Sequence, residues 1–195
     1  TLLDVTRLRI GNPEYARDNN SFGLSTLRNR HARFIRDRRV LLRFRGKGGA
    51  AHEIVIDDRR LVRLVRKCQE LPGQQLFQYR DDDGAVRDIG SGQVNEYLRS
   101  IMGEAFTAKD FRTWGATLGA IRVLAMTPLP EPLTEKACRE RISAAVKQVA
   151  TELRNTPAVC RKSYINPVVF DAWRGGRLPA ALPNGKRHRR AEKIA

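Results

Sequence analysis

The chain has 195 residues, enough for one domain with a real core. Its 37 Lys and Arg against 21 Asp and Glu give a formal charge of +16, which suits a polyanion, with nucleic acid first and an anionic membrane surface second. No segment is apolar enough to span a bilayer, no signal peptide is visible and no phosphate-binding GxxxxGK[ST] loop occurs, so a membrane protein, a secreted protein and a nucleotide hydrolase all fit poorly.

Leu2, Leu3, Val5 and Leu8 have helical spacing, and this helix is expected to end near Gly11. No cap precedes it, so Thr1 reads as the middle of a helix whose upstream portion is missing. Asn12-Pro13 restarts a helix as N-cap and first position, and Asn19-Asn20 closes it. Arg33–Ile35, Val40–Phe44 and His52–Ile56 read as three antiparallel strands. Asp37-Arg38 and Gly46-Lys47-Gly48-Gly49 form the turns between them. Lys47 then stands at a hairpin tip, where a lysine is usually just a solvated charge.

Asp57-Asp58 caps a helix from Arg59 to Glu70 with Leu61, Val62, Leu64 and Val65 as its apolar positions. Leu76–Tyr79 is a short extended piece, and Asp81–Gly84 is a turn without calcium-loop spacing. Ser91 reads as the cap of a helix carrying Val94, Tyr97, Leu98 and Ile101. Thr107 begins another, from Ala108 to about Leu124, which carries Lys109 and Arg112. Pro128, Pro130 and Pro132 form a stiff linker. Thr134 caps a long amphipathic helix with Ala137, Ile142, Ala145, Val146, Val149 and Leu153. Its far end delivers Asn155 and a short helix with Thr156 as N-cap and Pro157 at the first position. Tyr164 should lie about two turns along that helix. A last helical piece, Pro167 to Trp173, precedes Gly175-Gly176 and a basic tail from 183 to 195. Cys68, Cys138 and Cys160 sit singly in helices and fit a reducing compartment, and His31, His52 and His188 form no metal-ligand pattern.

Arg9, Lys47, Arg112, Asn155 and Tyr164 form a chemically complete set for transesterifying a phosphodiester. A phenol oxygen attacks phosphorus, two guanidiniums and an amide steady the non-bridging oxygens, and an ammonium protonates the leaving oxygen. Arg161 and Lys162, just before Tyr164, add cations near the phosphate. Tyrosine alone beside two basic residues is more often a partly buried ring with a satisfied hydroxyl.

Five blocks carry a resemblance. They are Leu8-Arg9-Ile10-Gly11 followed by Tyr15; Gly23-Leu24-Ser25-Thr26-Leu27-Arg28-Asn29-Arg30-His31; Phe44-Arg45-Gly46-Lys47 followed by His52-Glu53; Lys109-Asp110-Phe111-Arg112-Thr113; and Asn155-Thr156-Pro157 followed by Ser163-Tyr164. Together they make the chain resemble the catalytic domain of type IB DNA topoisomerases of the small bacterial and poxvirus-like kind. The resemblance implies an α+β, mainly α-helical fold, with small antiparallel hairpins packed against a helical core. It assigns Tyr164 as nucleophile, Arg9 and Arg112 as catalytic arginines and Lys47 as general acid. Asn155 stands where the poxvirus branch has histidine. The resemblance further implies duplex DNA contacts at Tyr15, Thr26, Arg28, Arg30, His31, Arg45, His52, Lys109, Arg161 and Lys162. It implies relaxation of supercoils through a 3′-phosphotyrosine, with no cofactor or metal, by a monomer acting on DNA in the cytoplasm of a bacterium. Residues 1–182 are read as the catalytic domain, without the family's N-terminal clamp domain.

A tyrosine recombinase or phage integrase shares this chemistry but usually carries His-x-x-Arg, where this chain has Lys109 three residues before Arg112. A non-catalytic DNA-binding module explains the charge but leaves the catalytic set without a purpose. An RNA-binding module lacks its aromatic or GXXG signature here.

Overall fold

The structure is a computed structural model that describes residues 1–36 and 38–178. The expected turn residue Asp37 and the basic tail lie outside the described residues. The chain divides into two compact units at Lys109–Asp110. The architecture is mainly helical with small antiparallel sheets, as the sequence indicates.

In the first unit α1 spans Leu2–Thr6 and α2 spans Pro13–Asn19. The first helix stops well before Gly11, because Arg7 turns left-handed with φ 52° and its N–H bonds to Leu3 O. Leu8 is then buried, and the segment beyond it lies along Gly23–Ser25 as non-helical backbone. The second helix starts as read, with the Asn12 side chain accepting from Tyr15 N at 3.1 Å.

Strands β1 (Ala32–Ile35), β2 (Arg39–Arg45) and β3 (Ala51–Ile56) form an antiparallel sheet in the order β1-β2-β3. Val40, Leu42 and Phe44 are buried at alternate positions of β2, while Arg39, Arg43 and Arg45 are exposed between or beside them. Arg43 pairs across the sheet with Glu53 through two bonds of 3.1 and 3.2 Å. The helix α3 (Arg59–Gln69) packs on β2, capped by Asp58, which accepts from Arg60 N and Leu61 N. Leu61, Val62 and Val65 are buried, but Leu64, expected on the apolar face, is 49% exposed. It lies two residues after Val62 and one before Val65, which turns it about 160° and about 100° away from them around the helix.

The extended piece after Leu76 belongs to a second hairpin, β4 (Gln78–Arg80) with β5 (Val86–Asp88). The Asp81–Gly84 turn closes it, and Asp81 ties the hairpin to Arg87 at 2.8 Å. Next, α4 spans Ser91–Met102, and its N-cap is Gly90 rather than Ser91. The Gln93 side chain reaches back to accept from Gly90 N at 2.8 Å, which is the reciprocal half of a capping box, and no side chain caps the first-turn N–H groups.

The helix α5 runs Ala108–Ala125. In the second unit α6 (Glu135–Leu153) begins under Thr134, whose hydroxyl accepts from Ala137 N at 3.2 Å. Ala116, Ala120 and Leu124 of α5 pack with Ile142, Ala145, Val146, Val149 and Leu153 of α6 in one apolar cluster. Gly119 faces Val149, and a Cβ there would make ordinary contact with it at 3.4 Å. The cluster continues through α7 (Pro157–Ser163) and α8 (Val168–Arg174) by Cys160, Ile165, Val169, Phe170 and Trp173. Among the described residues no helix is long and apolar enough to cross a membrane.

Candidate active site

Arg9 and Lys47 line the same pocket in the first unit, together with Leu8, Phe22, Gly23, Phe44, Gly46 and His52. Backbone pairing fixes Arg9: its carbonyl accepts from Leu24 N at 2.8 Å, and Ile10 O accepts from Ser25 N at 2.7 Å. The contact is so close that a Cβ on Gly23 would sit 2.5 Å from Gly11 backbone and 2.7 Å from Arg9 O. Only glycine permits that approach. Thr26 completes the lock, its hydroxyl accepting from Gly23 N at 2.9 Å.

Lys47 projects, exposed, from the turn between β2 and β3. Gly48 and Gly49 take positive φ values of 70° and 76°, so the turn is tight, and a Cβ on either would point into open space. Its base is held. Ser21 Oγ donates to Gly46 O at 2.6 Å, Phe22 N donates to Arg45 O at 2.7 Å, and Gly46 N donates to Ala50 O at 2.8 Å.

Arg112, Asn155 and Tyr164 belong to the second unit. Arg112 is only 2% exposed, a rare state for arginine that requires its charge to be compensated by contacts. Its Nη2 donates to Leu153 O, the last carbonyl of α6, at 3.1 Å. The same guanidinium lies 5.1 Å from the centre of the Tyr164 ring. Tyr164 is the C-cap of α7, two turns on as expected but just past the helix proper. Its N–H bonds to Cys160 O at 3.1 Å, and its ring is half-buried against the apolar cluster. Burial pushes the Cys160 thiol up, with the Arg112 charge opposing, so it stays a protonated packing group.

Asn155 follows the left-handed Arg154 and bonds through its backbone N–H to Ala150 O at 3.0 Å. The cap of α7 is Thr156, which accepts from Val159 N at 3.3 Å. The Asn155 side chain is therefore not spent on capping that helix.

The residues expected on a DNA surface divide. Tyr15, Arg30, Arg45, Lys109, Arg161 and Lys162 are exposed, and Arg28 is half-buried. The Arg28 guanidinium lies over Phe22 at 5.4 Å and that of Arg161 over Phe170 at 5.1 Å, so each cation faces an aromatic ring. Thr26, His31 and His52 are buried in the free chain. Each packs against or bonds to its neighbours. His31 accepts from Arg28 N through Nδ1 at 3.0 Å and meets the Phe22 ring edge-on at 4.4 Å. Burial first, then the neighbouring Arg30 and Arg28 charges, lowers its pKa to about 4. His52 stacks flat on Phe44 at 4.8 Å, with Gly46 packed against its ring.

The sequence pattern does not reveal Thr117, whose hydroxyl contacts the backbone on both sides of Ile165. Its only signal is a β-branched polar residue within the otherwise apolar stretch from Trp114 to Ile121. Nor does it reveal the aromatic column of Phe22, His31, Phe44 and His52 as a unit, because the members come from separate segments.

The family model for "Eukaryotic DNA topoisomerase I, catalytic core" matches residues 1–170. The "DNA topoisomerase 1B" of Acanthamoeba polyphaga mimivirus is 36% identical over 163 residues, covering 81% of this chain and 48% of the viral one. The "DNA topoisomerase 1B" of vaccinia virus is 24% identical over 170 residues, covering 84% and 49%. The chain thus spans about half the length of the curated relatives it matches.

Proposed function

The chain belongs to the type IB DNA topoisomerase catalytic-core family, and we propose that it relaxes supercoiled duplex DNA by nicking one strand, letting it rotate and resealing it. The observation that carries this is the buried Arg112 guanidinium set over the Tyr164 ring at the end of α7. A phenol is mostly protonated at neutral pH, so as a nucleophile it needs fixed positive charge where the phosphate reacts.

In the proposed reaction Tyr164 Oη bonds to phosphorus and its proton passes to water. The bond to the 5′-oxygen breaks, and the Lys47 ammonium gives that oxygen a proton. Arg9, Arg112 and Asn155 donate hydrogen bonds to the non-bridging oxygens as charge builds on them. The 3′-phosphotyrosine ester keeps the energy of the broken bond, so resealing by the 5′-hydroxyl requires neither ATP nor a metal. Basic side chains on the surface, Arg30, Arg45, Lys109 and Lys162 among them, would hold the duplex through its phosphates. Residues 1–182 would form the catalytic domain and the basic tail would add non-specific attraction.

A denaturing gel tests the reading. Wild type incubated with end-labelled nicked or supercoiled DNA should give a covalent adduct at the 3′-phosphate, with EDTA present and ATP absent. Tyr164→Phe removes one oxygen and little volume, so it should bind DNA yet give no adduct. A Phe variant that still forms the adduct removes Tyr164 from the nucleophile's role.

A further inference from the structure

The geometry points to Thr117 as a positioning residue for the nucleophile, an inference that rests on the reading of Tyr164 as the attacking group. Thr117 lies on α5, five residues after Arg112. Its Oγ1 donates to Tyr164 O at 3.2 Å and accepts from Asn166 N at the same distance. A hydroxyl has one proton to give and lone pairs to receive, so a single side chain can make both bonds at once. A threonine in mid-helix usually turns its hydroxyl back to a carbonyl of its own helix. Here it reaches 47 residues along the chain to Tyr164.

Tyr164 needs such a holder. It is the C-cap of a seven-residue helix, with φ −132° and ψ −26°, where a short helix frays most easily. The N–H side is tied to Cys160 O. Thr117 ties the carbonyl side, and it also ties the residue after Ile165, whose buried side chain anchors the turn. One helix thus grips the tyrosine twice, by Arg112 over its ring and by Thr117 on its backbone. The ring's approach to phosphorus then follows from α5 rather than from the fraying end of α7.

The experiment compares the wild-type chain with Thr117→Val, which keeps the branched shape and loses the hydroxyl, and with Thr117→Ser, which keeps the hydroxyl. Single-turnover cleavage and resealing are measured at saturating DNA, well below each variant's melting temperature. Misplacement of the phenol should slow both directions by the same factor, about 10- to 100-fold. The cleavage equilibrium and the DNA affinity should not move, because only the transition state needs the exact approach. Thr117→Ser should recover most of the rate. Thr117→Ala serves as a second hydroxyl-free variant should Val not fold, and the same slowing is expected of it. Wild-type rates in either hydroxyl-free variant would overturn the inference, as would a changed cleavage equilibrium or a rate loss matched in Thr117→Ser. An adduct abolished by Tyr164→Phe but untouched by Thr117→Val leaves the nucleophile in place and removes only the threonine. A wild type without any adduct removes both.

Discussion

Asn155 shows how much one side chain can be asked to do. The cap of α7 falls to Thr156, so Asn155 need not stabilise that helix. Its amide can donate to a phosphate oxygen but cannot carry a charge. Removing one preorganised donor typically costs on the order of 2.7–4 kcal/mol in the transition state. Asn155→Ala should therefore slow cleavage and resealing about 100- to 1000-fold with the melting temperature nearly unchanged. Asn155→His should keep much of the activity, since a ring N–H can make the same bond. An Ala variant that melts early and cleaves normally would return the residue to a structural role. Lys47 is tested by chemistry instead of stability. If its ammonium protonates the leaving 5′-oxygen, Lys47→Ala should be slow on ordinary DNA and close to wild type when that bridging oxygen is sulfur, because a thiolate leaves unaided. Equal slowness on both substrates would make the lysine a phosphate holder. His31 responds to pH. Its folded pKa, about 4, lies below the usual 6.5. Between those values the unfolded chain binds the proton and the folded one does not, so stability falls as pH drops from about 6.5 towards 4. NMR titration of the His31 ring should give a midpoint near 4, and a midpoint near 6.5 would mean the ring is exposed in solution.

At the scale of elements, Gly11 and Gly23 join the Arg9 segment to the loop before β1. A methyl group on Gly23 would meet backbone rather than a flexible side-chain end. Overpacking of this kind typically costs about 1–3 kcal/mol. Gly23→Ala should lower the melting temperature by several degrees and reduce cleavage further at temperatures where it is still folded, as Arg9 shifts. A variant with full activity and stability would show that the contact is loose. The legibility of the chain follows the same division between local and distant chemistry. Caps at Asn12, Asp58, Thr134 and Thr156 are legible in sequence because each depends on residues two or three positions away. The β2–β3 hairpin is legible from its alternation and its glycines. The close approach of Gly11 to Gly23 is invisible there, since nothing local announces which backbone a glycine will touch. The strand β5 is three residues long, too short for a period to show. His31 and His52 look like surface polar residues in sequence and are buried by aromatic neighbours from other segments. Thr117 is 47 residues from the carbonyl it holds, beyond any local pattern. Arg9, Lys47, Arg112, Asn155 and Tyr164 can be picked out as a chemical set; their supports cannot.

Across the whole molecule, charge outweighs every other feature of the surface. A formal +16 on 195 residues repels itself in the folded state and contributes nothing to the fold. The bridges Arg43–Glu53 and Arg87–Asp81 lie at the surface, where such pairs are worth little. Arg30, Arg45, Lys47, Lys109 and Lys162 are exposed, where phosphates can reach them. Each phosphate neutralised releases condensed counterions, so log K should fall linearly with log salt at a slope of about −0.9 per contact. A footprint of about five contacts then predicts a slope near −4.5, or a loss of roughly 500-fold between 50 and 200 mM salt. Single substitutions sort the residues. Arg45→Ala or Lys162→Ala should flatten the slope by about one unit and weaken binding to all sequences alike. Thr26→Ala, His31→Asn and His52→Asn should leave the slope unchanged, because those side chains are buried. Fluorescence anisotropy of a labelled duplex, repeated across a salt series for each variant, reads both quantities. A flat salt dependence would remove phosphate neutralisation as the source of affinity. A slope reduced by the buried histidine variants would place His31 or His52 at the DNA surface after all, and would require that region to open when DNA binds.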